Sequence, residues 1–79
     1  MTVTVRYFAG ARAAAGVDTE TVDAATVGEL IADLASRGEP LARVLSVCSY
    51  LVDGLAARDH ATPLYDGATV DVLPPFAGG

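Results

Sequence analysis

The residues best placed to do chemistry stand at the end of the chain, in Leu73-Pro74-Pro75-Phe76-Ala77-Gly78-Gly79. Pro74 and Pro75 lack amide hydrogens and fix φ, so they stop a sheet ladder and hold the residues after them stiff and extended. Phe76 supplies one large apolar anchor. Ala77, Gly78 and Gly79 shrink to nearly bare backbone, able to pass a channel too narrow for ordinary side chains. At about 3.3 Å per extended residue, Pro75 to Gly79 spans roughly 16 Å, enough to enter another protein's active site. The reactive group delivered this way is the main-chain carboxylate of Gly79. A free carboxylate is a poor electrophile, so its use requires a nucleotide-using partner that installs a leaving group. Small residues at a chain end also make frayed tails. The Pro-Pro-Phe stem, together with Gly-Gly at the end of the chain, is what favours a working tail over that reading.

Other side chains offer less. Cys48 has no histidine or basic residue close in sequence and reads as a core or edge thiol. A single cysteine excludes an internal disulfide framework or a cysteine metal cluster and fits a reducing compartment. His60, between Asp59 and Ala61, reads as exposed, without partners for metal or proton chemistry. No metal site and no stably bound cofactor are expected.

Composition points the same way. With 79 residues and 52% apolar content, the chain makes one domain that buries only about 60% of its unfolded surface. Its stability falls near 4 to 12 kcal/mol, which disfavours a self-contained enzyme with a large private cavity. No apolar run approaches a membrane span, and the N-terminus lacks a basic segment followed by an apolar one, so a cytoplasmic location without membrane contact is expected. A net charge of −5 argues against nucleic acid and for basic protein partners. Lysine is absent; the basic residues are Arg6, Arg12, Arg37, Arg43 and Arg58. A protein with an activated C-terminus gains from having no lysine amine to attack it, although an Arg- and Ala-rich coding bias explains the absence more simply.

Periodicity supplies the elements that must hold the tail. Thr2 to Phe8 alternates, with Val3, Val5 and Tyr7 on one face and Thr4, Arg6 and Phe8 on the other, as in a half-buried strand. Gly10 to Gly16 reads as a turn or a single helical turn. Val17 to Val22 reads as a second strand completing a hairpin-like pair, with Asp18 and Glu20 facing water. Val27, Leu30, Ile31 and Leu34 form an apolar helical stripe; Thr26 and Glu29 have capping-box spacing, and Gly38 with Pro40 stops the helix. Leu41 to Leu45 is expected as a short helical turn. Val47 to Val52, including Cys48, is expected as a central strand. Asp53-Gly54 signals a tight turn into a brief strand from Leu55 to Ala57. Pro63 to Gly67 reads as a turn with an apolar plug, and Ala68 to Leu73 as the last strand, with Val70 and Val72 toward the helix. The order predicts an α+β roll, a mixed sheet of four to five strands under one main helix, with the last strand beside the first. The domain is placed at 1–74 and the extended tail at 75–79. Phe8 and Leu73 are out of phase with the buried residues and are expected on the face away from the helix, with Leu55 joining them. Such a patch is either a docking surface or scattered exposed apolar residues.

The stretch Asp66-Gly67-Ala68-Thr69-Val70-Asp71-Val72-Leu73-Pro74-Pro75-Phe76-Ala77-Gly78-Gly79 resembles the C-terminal signature of the ubiquitin-like sulfur carriers of the MoaD/ThiS type, in particular the small subunit of molybdopterin synthase. Val5-Arg6-Tyr7-Phe8-Ala9 is similar to that family's first strand, and Thr26-Val27-Gly28-Glu29-Leu30 to its helix entrance. The resemblance implies a β-grasp fold and a non-catalytic sulfur-donor subunit. An E1-like adenylyltransferase would use ATP to convert the Gly79 carboxylate to a transient acyl-adenylate, and a sulfur donor enzyme would lead it on to a thiocarboxylate (1-thioglycine). The large subunit of molybdopterin synthase, in a heterotetramer of two small and two large subunits, would accept the tail and use its sulfur for the dithiolene of molybdopterin. Phe8, Leu55 and Leu73 match the family's docking surface, and Pro74, Pro75, Phe76, Ala77 and Gly78 its threaded tail. The segment Leu55 to Thr62 is longer and more polar than usual, and Ala68-Thr69 replaces a common acidic pair. Carriers for thiamine or cysteine synthesis, a noncatalytic ubiquitin-like binding module and a lysine-conjugated modifier remain as alternatives.

Overall fold

The computed structural model describes residues 1–75. Five strands and three helices follow in the order β1 (Thr2–Tyr7), α1 (Ala9–Ala15), β2 (Thr19–Asp23), α2 (Val27–Ala35), α3 (Glu39–Leu45), β3 (Ser49–Val52), β4 (Leu55–Ala56) and β5 (Thr69–Leu73). The strands form one mixed sheet in the order β2-β1-β5-β3-β4. β1 and β5 are parallel, and the other pairs are antiparallel. This is the expected α+β roll, with the last strand beside the first.

The alternating residues explain the core. Val3, Val5, Val70 and Val72 are fully buried, as are Val27, Leu30 and Leu34 on the α2 stripe. Each such side chain contributes about 1.5–3 kcal/mol by leaving water. Leu41 and Leu45 of α3 and Ala11 of α1 close the same core. The expected turn after β1 is therefore a seven-residue helix with its own buried residue, ending at Gly16 in the left-handed conformation (φ 80°).

Thr26 caps α2, its hydroxyl accepting from the Glu29 amide at 3.2 Å. Two more of the orphan amides at this end find carbonyls in the segment after β4. Val27 N donates to Thr62 O (3.0 Å) and Gly28 N to His60 O (2.8 Å), while Leu64 N returns to Ala25 O (2.8 Å). The long polar segment is thus a strap fastened across the helix entrance, with Leu64 buried as its plug.

Three expectations are corrected. Cys48 lies outside the strand, because the free carbonyls at the end of α3 capture the next amides: Val47 N donates to Val44 O and Cys48 N to Leu45 O, and β3 begins only at Ser49. β3 is interior, but the middle of the sheet is β5. Glu20 does not face water. The antiparallel register sets it opposite buried Val5, on the helix side, where Tyr7 Oη donates to its carboxylate at 2.6 Å and Arg37 pairs with it and with Asp33.

Candidate functional site

The tail grows from the middle strand of the sheet. β5 is paired on both sides, to β1 through Thr4↔Thr69 to Tyr7↔Val72 and to β3 through Ser49↔Leu73 to Val52↔Val70. Phe8 N adds a bond to Val72 O at 3.2 Å. The ladder stops after Leu73 because Pro74 has no donor. Pro74 is half-buried and Pro75 exposed. Phe76, Ala77, Gly78 and Gly79 lie outside the described residues.

The sheet has one covered and one open face. In the phase opposite to the buried valines stand Thr4, Arg6 and then Phe8 along the first strand, and Thr69, Asp71 and Leu73 along the last. Phe8 is 36% exposed and Leu73 half-buried, so these two expected docking residues come together at the tail root. Leu55 does not join them. The Asp53-Gly54 turn, with φ of 49° and 85°, is the left-handed hairpin type and pairs Leu55 with Val52, itself opposite Val70 of the helix-side phase. Leu55 is 75% exposed at the sheet's edge. It stands two strands over and three residues back from Leu73, about 10 Å away in each direction.

Arg6 and Asp71, neither singled out from the sequence as a site, are paired across the β1–β5 ladder on this open face. Arg6 Nε donates to Asp71 Oδ1 at 2.6 Å and Nη2 to Oδ2 at 2.9 Å, a bidentate geometry. The guanidinium also lies over the Phe8 ring, 5.7 Å from its centroid. The hydrogen bond to Asp71 raises the guanidinium above its ordinary pKa. The signal was present: a base and an acid in the outward phase of two strands expected to be neighbours. Val47, 60% exposed and two residues upstream of the Ser49 that faces Leu73, was hidden by its assignment to a strand.

Cys48 and His60 both line a shallow cleft of about 340 Å³ between β3 and the strap. Cys48 Sγ donates to Val44 O at 3.1 Å, and burial pushes the thiol pKa up, so this is a neutral thiol and a poor nucleophile. Among the described residues no group of three or more His, Cys, Asp or Glu side chains is arranged to hold a metal ion. No helix among them is long and apolar enough to cross a membrane.

The ThiS family profile matches residues 5–79. The molybdopterin synthase sulfur carrier subunit of Chlamydomonas reinhardtii is 31% identical over 83 residues, covering all of both chains. In the solved complex of subunits 1 and 2 of molybdopterin-converting factor from Helicobacter pylori, a chain 32% identical superimposes with a TM-score of 0.78 over the full length of both. SAMP1 from Haloferax volcanii, 27% identical and again covered end to end, gives a TM-score of 0.83. The mixed five-stranded sheet crossed by α2 is the β-grasp of ubiquitin-like proteins. Within that class, the chain belongs to the ThiS family, the MoaD/ThiS type of sulfur carrier.

Proposed function

We propose that this chain is the sulfur carrier subunit of molybdopterin synthase and that Gly79 is its reacting residue. The observation that carries the reading is the likeness, from end to end, to the Chlamydomonas reinhardtii sulfur carrier subunit. The Pro74-Pro75 stop and a tail rooted in the doubly paired β5 support it.

In this reading an E1-like adenylyltransferase joins the Gly79 carboxylate to the adenylate of ATP, releasing pyrophosphate. Sulfide (HS⁻) supplied by a donor enzyme then attacks the activated carbonyl carbon; the carbon–sulfur bond forms, the bond to the adenylate oxygen breaks, AMP leaves and the sulfur's proton passes to solvent. The thiocarboxylate is carried in the cytoplasm to the large synthase subunit, within a tetramer of two small and two large subunits, for formation of the dithiolene. The chain supplies no acid, base or metal ligand. Its work is positioning: a rigid sheet that offers an extended tail to two successive partners.

The test is intact mass after incubation with the adenylating enzyme, ATP and a sulfur donor. The full chain gains the mass of one oxygen-to-sulfur exchange, and a chain lacking Gly79 does not. A truncated chain that still supports molybdopterin formation refutes the reading. The likeness to SAMP1, a small archaeal modifier protein, favours a second reading, transfer of activated Gly79 to amines. That reading predicts adducts in extracts that are lost with the same deletion. Sulfuration without cofactor formation would point instead to carriers for thiamine or cysteine synthesis.

A further inference from the structure

We propose that Arg6 is a docking residue: its guanidinium, fixed by Asp71 and Phe8, donates to a neutral acceptor, a main-chain carbonyl, on the large synthase subunit that receives the C-terminal tail. The inference rests on the carrier function proposed above and adds the residue and the chemistry of the contact.

The guanidinium is unusually prepared for this. Arginine has five N–H donors in a rigid plane. Two are taken by Asp71, through Nε and Nη2, and among the described residues the other three have no partner. The Arg6 side chain keeps half its surface in water while the Asp71 side chain keeps 10%. With the Phe8 ring against it, the group is held in one orientation before any partner arrives, so little side-chain entropy remains to be lost on docking.

Its place identifies the occupant. Arg6 faces Asp71 in the parallel register, and Leu73, two residues beyond Asp71, leads into Pro74, Pro75 and the tail that ends at Gly79. Two residues of strand are about 7 Å. A protein closing over the root of that tail also covers this end of the open face, where Phe8 and Leu73 supply the apolar contact. Charge decides the acceptor. Asp71 already neutralises Arg6, so a second carboxylate would leave an uncompensated charge in a dry interface. A carbonyl oxygen fills the open donors without adding one.

The experiment titrates the wild-type chain and two variants against the large molybdopterin synthase subunit of the same organism by calorimetry, at low and high salt. Arg6→Lys keeps a positive charge beside Asp71 but loses the planar fork. The double variant Arg6→Met with Asp71→Leu replaces the pair by apolar chains and keeps the fold testable if the lysine variant is unstable. Melting temperatures accompany both. Each is expected to weaken binding about tenfold or more, the value of a charge-assisted hydrogen bond, by the same factor at both salt concentrations. Wild-type affinity in either folded variant overturns the inference, and a loss that fades at high salt overturns the neutral acceptor. A wild-type chain that binds but gains no sulfur refutes the carrier function alone; one that does not bind refutes both.

Discussion

Replacing Gly28 with alanine sets helix propensity against the strap across α2. Gly28 stands in the first turn of α2; glycine costs up to about 1 kcal/mol relative to alanine in a helix interior and somewhat less here, so propensity alone predicts a more stable protein. A Cβ at this position, however, would meet His60 O at 3.1 Å and His60 Cβ at 3.2 Å. The carbonyl cannot simply retreat, because it accepts from Gly28 N at 2.8 Å and the neighbouring Thr62 O accepts from Val27 N at 3.0 Å. Moving the strap weakens both bonds, about 1 kcal/mol each. The balance is a net loss of about 1 kcal/mol, which lowers Tm by about 4–8 °C in a domain of this size. Calorimetry measures the shift, and in the variant amide exchange should speed at Val27 and at position 28 before the rest of α2. A variant that melts at or above the wild-type temperature refutes the claim that the strap is fastened here.

Leu30 is fully buried on the α2 stripe, so Leu30→Ala should cost about 2–5 kcal/mol and lower Tm by about 8 °C or more, measured by thermal unfolding. Burial raises the pKa of Tyr7 and Tyr50, whose hydroxyls donate to Glu20 and to Leu45 O. The unfolded chain therefore loses these protons first. Stability should hold up to the ordinary tyrosine value of about 10 and fall above it, and Tyr50→Phe should blunt that fall in denaturant titrations across the alkaline range. Cys48, with its thiol pKa raised by partial burial, should react with iodoacetamide at mildly alkaline pH more slowly than a free cysteine and at the ordinary rate once denatured; equal rates in the folded protein would contradict a half-buried, neutral thiol.

Much of this molecule was legible in local pattern. The alternation of Val3, Val5 and Tyr7, the matching Val70 and Val72, and the helical spacing of Val27, Leu30, Ile31 and Leu34 each state which side of an element must leave water, and the structure buries all of them but Ile31, which is half-buried at the rim of the core. The Thr26 cap, the Asp53-Gly54 turn and the Pro74-Pro75 stop are likewise properties of a few adjacent residues. The expected docking patch was only partly legible. Phe8 and Leu73 follow from phase alone, and the β1–β5 register brings them to neighbouring positions.

What the chain's own order left undecided depends on register. Glu20 has the look of a solvent residue until the β1–β2 ladder sets it opposite Val5. Leu55 reads as a companion of Phe8 until a two-residue turn fixes its pairing to Val52. Arg6 and Asp71 are ordinary outward-facing residues in strands at opposite ends of the sequence; only the parallel pairing of those strands makes them one ion pair. The sequence by itself determined which faces of the first strand, the main helix and the last strand are apolar and where the last strand stops, because those depend on neighbours a few bonds away; it did not place the end of α2, which stops at Ala35 ahead of Gly38, or the start of β3 at Ser49. Tertiary structure alone decided which polar groups from distant segments meet, because strand register and the strap's path are set by burial of the whole core at once.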